Sequence, residues 1–395
     1  MTSVRVDELC KVFGPHPAEA LRRLRDGADT ARLRAEGATA AVLDASFTVA
    51  TGEIFVVMGL SGSGKSTLIR MLNGLLRPTE GHVYADEEDV TALSGNALRD
   101  LRRRTMSMVF QHFALLPHRT VLDNVEYGPR IQGDPAEQAR RAAGEALEMV
   151  GLTGWEQRFP QQLSGGMRQR VGLARALAAG TDVLLMDEAF SALDPLIKRD
   201  MQDQLAQLQQ RLAKTIVFIT HDLNEAMRLG DRIAVMRAGR IVQLGTASEI
   251  LRGPADDYVA RFVRDVDRSR VLTAAQVADP ELAVSADRTP QHALAALQGA
   301  ERLLITDGER KLLGSVDAAA AGRATRDGLA EIRDVVSPTA EPITGDRPLR
   351  EVLGRATAEA VLPVVDGEGR LLGALTPAVL LRALGDQRSQ EAPDA

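Results

Sequence analysis

Between Ala41 and Met58 apolar residues first alternate with polar ones, at Val42, Leu43, Phe47 and Val49, and then run unbroken through Ile54-Phe-Val-Val-Met58. Alternation predicts a strand with one solvated face, whereas a continuous apolar run predicts a strand buried on both faces. Runs at Val183-Leu-Leu-Met186, Thr215-Ile-Val-Phe-Ile219 and Ile233-Ala-Val-Met236, each bounded by polar turns, predict further buried parallel strands. Helical spacing fills the intervals at Ser66 to Leu76, Ala136 to Val150, Gly165 to Ala179 and Leu196 to Ala213. Strands alternating with helices imply an α/β domain with a mostly parallel sheet over residues 1–264. Residues 97–159 lack such strands and are expected to form a helical subdomain.

The pattern changes after Arg264, where residues 265–280 are expected to be a linker and residues 281–395 a smaller α/β domain. Within it, LLITDGERKLLGSVD (Leu303 to Asp317) aligns with LPVVDGEGRLLGALT (Leu362 to Thr376) at an offset of 59, with seven of fifteen positions identical. Each copy reads as a strand, an Asp-Gly-Glu turn and a second strand, followed by a helix. A two-fold repeat behind an unrelated domain points to a pseudo-symmetric regulatory pair; two unrelated hairpins bracing the first domain are the alternative.

Composition narrows the chemistry. The chain has 395 residues, a net charge of -6 and basic residues spread along its length, which argues against nucleic acid as a partner. No stretch approaches the roughly 18 uncharged apolar residues that a membrane helix needs. Charged residues occupy the start, MTSVRVDELC, so a signal peptide is not expected. One cysteine, Cys10, permits neither an internal disulfide nor a cysteine-based metal site. Aromatic residues are only 3%, with a single tryptophan, Trp155.

After the strand ending at Met58 comes Gly59-Leu60-Ser61-Gly62-Ser63-Gly64-Lys65-Ser66-Thr67, a G-x-x-x-x-G-K-[ST] loop opening onto a helix. Its glycines let backbone N–H groups converge on phosphate oxygens, and the helix points its positive end at them. Lys65 is expected to reach the terminal phosphates and Ser66 to ligate Mg²⁺. At the end of a later strand, Asp187 would hold Mg²⁺ through water while Glu188 faces the attacking water. His82, His112 and His118 have no partners at metal-ligand spacing.

Leu163-Ser164-Gly165-Gly166-Met167 resembles the signature of ATP-binding-cassette (ABC) ATPases, and the neighbouring motifs match that family in order and spacing. The resemblance places Gln111 of VFQHFALLPH as the Q-loop glutamine and Mg²⁺ contact, Ser191-Ala-Leu-Asp194 as the D-loop, and His221 of ITHD as the switch histidine. It implies a P-loop ATPase binding ATP and Mg²⁺, in which two copies pack head to tail. Each signature then closes over the ATP held by the other chain's phosphate loop. Met167 stands where the family most often has glutamine, with the phosphate-facing Ser164, Gly165 and Gly166 intact. Phe13, before an insertion spanning Pro15 to Gly37, stands where the family stacks an aromatic on adenine; ordinary core packing is the other reading.

Longer stretches, EIFVVMGLSGSGKSTLIRMLNGL and LLMDEAFSALDPLIKRDMQ among them, resemble the ATP-binding subunits of glycine betaine/L-proline importers, and the C-terminal repeat resembles a tandem cystathionine-β-synthase (CBS) pair. That implies a homodimer on the cytoplasmic face of the cell membrane, bound to an integral permease through a coupling helix near His112 to His118. It also implies an extracytoplasmic binding protein. Quaternary ammonium solutes sit in aromatic cages; this chain offers none, so another subunit must recognise the solute. Choline or carnitine import, a soluble non-transport ABC ATPase and a binding-only sensor are the alternatives. In the CBS pair, Asp317 is followed by Ala320 and Thr376 by Val379, so the carboxylate that holds ribose in nucleotide-binding members is missing. Ionic strength, felt over a Debye length of roughly 8 Å, is the expected signal, and deleting residues 281–395 should remove salt dependence.

Overall fold

A computed structural model describes residues 2–111, 114–191, 193–264, 266–297 and 300–385. The chain divides into two compact units, residues 1–263 and 264–395. His112 of the expected permease contact, Ala192 of the D-loop and the last ten residues lie outside the described residues.

In the first unit, strands β1 (Val4–Phe13), β2 (Thr39–Val49), β3 (Ile54–Met58), β4 (Glu80–Ala85) and β5 (Glu88–Asp89) precede β6 (Met106–Val109) and β7 (Val183–Asp187). Then come β8 (Thr215–Thr220), β9 (Arg232–Arg237) and β10 (Arg240–Gly245). They build an antiparallel sheet ordered β2-β1-β4-β5 and a second sheet ordered β10-β9-β3-β8-β7-β6. The second sheet is parallel except at its β10 edge. Every residue of β3, β7 and β8 is buried, as the unbroken apolar runs require. The helix Lys65–Leu72 supplies Leu68, Ile69, Met71 and Leu72 to a core shared with both sheets, where Phe47 of β2 stacks on Phe55 of β3 at 4.8 Å.

Two expectations need correction. Residues 97–159 are not wholly helical, because Met106–Val109 forms β6 and pairs in parallel with β7 at the edge of the main sheet. Four residues straight after the arginine-rich helix Gly95–Thr105 are too few to show a strand period. The helices that pack together are Val121–Gln132, Ala136–Met149 and Gly165–Ala178. The Pro15 to Gly37 insertion is a pair of short helices, Pro17–Arg25 and Thr30–Ala35, whose Leu21 and Leu33 bury against Cys10 and Val12 of β1.

In the second unit, residues 265–280 are not a free linker. They carry the helices Arg268–Val271 and Ala274–Val277, and Leu272 and Ala274 are buried in the core of that unit. Two three-stranded sheets follow, β11 (Ala283–Ser285) with β12 (Arg302–Thr306) and β13 (Leu312–Asp317), and β14 (Ile343–Thr344) with β15 (Leu362–Val365) and β16 (Leu371–Leu375). Each sheet pairs one parallel strand with an antiparallel hairpin. The repeats also grip each other crosswise, since Asp279, ahead of the first sheet, bridges Ala374 in the second, and Ser337, ahead of the second, bridges Ser315 in the first.

Candidate functional site

The carboxyl ends of β3 and β7 bring the phosphate loop and the acidic pair together. Gly59 follows β3 at φ +155°, and a Cβ there would lie 2.3 Å from the Met236 carbonyl oxygen. Gly64, at φ +104°, would place a Cβ 2.0 Å from the Ala41 carbonyl oxygen. Only glycine fits both the conformation and the space. The loop therefore arches tightly over the start of the helix Lys65–Leu72, whose first N–H groups have no intrahelical acceptors. Leu60, Ser61 and Gly62 are exposed along its crest, Ser66 and Thr67 half-buried at its end. The Ser63 hydroxyl is buried and has no hydrogen-bond partner among the described residues. Two glycines that admit no side chain, a helix N-terminus and a hydroxyl with no partner among the described residues fit a phosphate chain.

Lys65 is buried, and its ammonium donates to the carbonyls of Gly59 (2.8 Å) and Leu60 (3.1 Å). Burial pulls its pKa down, against the attraction of Glu188 and Asp187. Ser66 Oγ donates to Asp187 Oδ1 at 2.9 Å. Burial pushes the Asp187 carboxyl up, a shift that the Ser66 hydrogen bond and the Arg70 charge oppose. A hydroxyl and a carboxylate oxygen in contact, with Gln111 nearby, are hard donors of the kind Mg²⁺ takes, so the set fits that ion.

Glu188 is the hub of the site. Its carboxylate lies 3.8 Å from Lys65 Nζ, accepts from Gln111 Nε2 at 3.4 Å and approaches His221 Nδ1 at 3.3 Å. The backbone holds it at φ +47°, with its N–H donating to Ile219 O at the end of β8 and its carbonyl accepting from Ser191 Oγ. A left-handed non-glycine residue anchored on both sides is strain retained where a side chain must be aimed. His221 follows β8 and is exposed.

The structure thus gathers Lys65, Ser66, Gln111, Asp187, Glu188 and His221. Ser164, Gly165 and Gly166 instead begin the helix Gly165–Ala178, where the exposed Ser164 accepts from Met167 N as its cap. Gly166 packs on Ile197, where a Cβ would come within 2.6 Å of Ile197 Cγ2. Asp194 is exposed and caps the helix Pro195–Leu212 through Leu196 N and Ile197 N. Phe13 ends β1 with 41% of its surface exposed and the Lys11 ammonium 5.2 Å from its ring centre, so it is not a core residue. Sequence reasoning missed Arg70, 3.6 Å from Asp187; its place one turn after Ser66 on the same helix face was the available signal.

Comparison with known proteins gives the family. The model of the ABC transporter family matches residues 42–191 and that of the CBS domain residues 332–386. The glycine betaine transport ATP-binding protein of Bacillus subtilis is 46% identical over 96% of this chain and 92% of its own. The glycine betaine/carnitine protein of Listeria monocytogenes is 46% identical over 97% and 98%. The glycine betaine/proline betaine protein of Escherichia coli is 45% identical over 96% and 97%. Among solved structures, an ATP-binding cassette captured as a dimer in a post-hydrolysis state with ADP and Pi is 31% identical. It covers 62% of this chain and 98% of its own, with a TM-score of 0.53. The chain is an ATP-binding protein of the ABC transporter family with a CBS domain toward its C-terminal end.

Proposed function

We propose that this chain is the ATP-hydrolysing subunit of an importer for glycine betaine and related quaternary ammonium solutes. It works as a head-to-tail homodimer beneath a separate permease on the cytoplasmic face of the membrane. An extracytoplasmic binding protein selects the solute. The observation that carries the catalytic reading is the convergence of Lys65, Gln111 and His221 on the Glu188 carboxylate. What supports the solute class is likeness to betaine transport proteins along nearly the whole chain.

In this reading the loop from Gly59 to Thr67 wraps the ATP phosphates and Lys65 leaves its two carbonyl acceptors for them. Ser66, Asp187 and Gln111 hold Mg²⁺, which when bound neutralises charge developing on the phosphates. Glu188 accepts a hydrogen bond from the attacking water and turns it toward the γ-phosphate, while His221 orients that phosphate. Phe13, exposed at the end of β1, stacks on adenine. Ser164, Gly165 and Gly166 of one subunit cap the ATP of the other, and Asp194 lies at that junction. Closing the pair moves the permease and hydrolysis reopens it.

Permease contact falls to a cavity of about 490 Å³ beside the Gln111 loop, lined by Phe110, Ala114, Tyr127 and Ile131 with Arg99 and Arg103. Apolar walls with guanidinium groups suit a short amphipathic helix. The second unit regulates turnover in response to ionic strength.

Uptake of radiolabelled glycine betaine, against proline, choline and carnitine, into vesicles holding the chain, its permease and its binding protein tests the proposal. Uptake that requires ATP and Lys65 is expected. ATP hydrolysis without uptake of any of these solutes would overturn the transport reading and leave the ATPase.

A further inference from the structure

Behind His221 lies a charged network that the mechanism above does not use. Glu225, in the helix Leu223–Leu229, is 3% exposed and carries two oxygens that need partners. Its Oε1 accepts from Lys198 Nζ at 3.0 Å and Gln202 Nε2 at 3.2 Å, and its Oε2 accepts from the hydroxyl of Thr220. Lys198 Nζ also donates to Asp222 Oδ2 at 2.6 Å. Asp222 N donates to Thr220 Oγ1 at 2.9 Å, and Asp222 Oδ1 caps the helix through Asn224 N. Both neighbours of His221 in the chain are thereby held, Thr220 through Glu225 and Asp222 directly, and both routes meet at one ammonium.

That ammonium sits where a cation is not expected. Lys198 lies in the first full turn of the helix Pro195–Leu212, capped by Asp194, at the end where the helix dipole repels positive charge. Burial works against the charge as well, yet the Asp222 and Glu225 carboxylates outweigh it and hold the lysine above its ordinary pKa. Its charge thus ties the helix that begins at Asp194 to the segment carrying His221.

We propose that Lys198 is a positioning residue for ATP hydrolysis, fixing the backbone on both sides of His221 from the helix that starts at Asp194. The inference rests on the reading of His221 as the group facing the γ-phosphate. The histidine side chain is exposed, with Glu188 at 3.3 Å on one side, and is carried by that backbone, so release of the backbone misaims it without touching the phosphate loop.

The test compares Lys198→Met, Lys198→Arg and His221→Ala in the full chain assembled with its permease. ATP affinity is read with a fluorescent ATP analogue, turnover by phosphate release and backbone freedom by hydrogen–deuterium exchange over residues 219–229. For Lys198→Met, a fall in kcat of about 10- to 100-fold with KM and nucleotide affinity within about twofold of wild type is expected, with faster exchange in that segment. Lys198→Arg, which restores the charge, should recover most of both. Nucleotide affinity lost in both Lys198→Met and Lys198→Gln overturns the inference, because a positioning residue leaves the phosphate loop untouched. Wild-type kcat in a neutral variant that binds nucleotide, alongside an inactive His221→Ala, overturns the inference and leaves the histidine's role standing. Wild-type turnover in His221→Ala removes that role and the inference with it.

Discussion

Gly62 and Gly64 allow the phosphate loop to be probed by one substitution at two positions. Both have positive φ, +80° and +104°. A Cβ on Gly62 would meet nothing within 4 Å, whereas one on Gly64 would lie 2.0 Å from the Ala41 carbonyl oxygen. Left-handed backbone costs alanine about 1–2 kcal/mol, and the less flexible unfolded chain returns about half of that, for a net of about 1 kcal/mol. Gly62→Ala should therefore lower the melting temperature of the first unit by only about 2–4 °C and leave ATP affinity nearly unchanged. Gly64→Ala adds a backbone collision, because a carbon–oxygen contact needs about 3.3 Å and the loop must give way by about 1.3 Å. Two N–H donors misaligned with a charged phosphate lose about 1.5 kcal/mol each, about 3 kcal/mol in all or roughly 150-fold in affinity. Equilibrium binding of a fluorescent ATP analogue to the two variants, with their melting curves, decides the matter. Equal affinities would refute the reasoning, since they would mean that the clash at Ala41 is relieved without moving the phosphate donors.

Glu188→Gln should still bind ATP and accumulate as dimers while turnover falls by about 10² or more, as phosphate release and size-exclusion chromatography would report; undiminished turnover would take Glu188 out of its role. Burial holds the Asp187 carboxyl above its ordinary pKa, so the folded apo chain holds that proton more tightly than the unfolded chain. The associated stability is present in acid and lost as pH rises through the folded value. Asp187→Asn, neutral throughout, should then melt higher than wild type at about pH 8 with chelator present, and the gap should close toward about pH 4; a gap constant with pH would contradict this. Ile131→Arg, at a half-exposed wall of the cavity, should leave the isolated chain's ATPase intact and abolish co-purification with the permease. Ending the chain at Val263 should give uptake that ignores salt, whereas ending it at residue 280 leaves Leu272 and Ala274 uncovered and should give aggregates, visible by light scattering.

What could be read from the sequence was what rests on local geometry. The loop from Gly59 to Thr67, the acidic pair and His221 each stand at the end of a strand made wholly of buried residues, so periodicity and motif point to the same place. β1 was hidden because its alternation breaks at Glu8, which has φ +45° and sits where the pairing with β2 shifts register between Val6 and Leu9. The repeat was found only where its hairpins are strongest. Val284-Ser-Ala-Asp287 and Ile343-Thr-Gly-Asp346 lie at the same offset and begin the two sheets, but four residues sharing one identity carry little signal. The Lys198 network was out of reach, since Lys198 stands 24 positions from Asp222 and 27 from Glu225, and each of these charges, taken alone, reads as an ordinary surface charge.

The crosswise bridges in the second unit, Asp279 to Ala374 and Ser337 to Ser315, make its two halves indivisible. Each half completes the backbone hydrogen bonding of the other, so a chain interrupted between them would leave two fragments with open sheet edges instead of one working half. Such an element cannot be halved without exposing backbone, and a displacement of either half is passed to the other through those bridges.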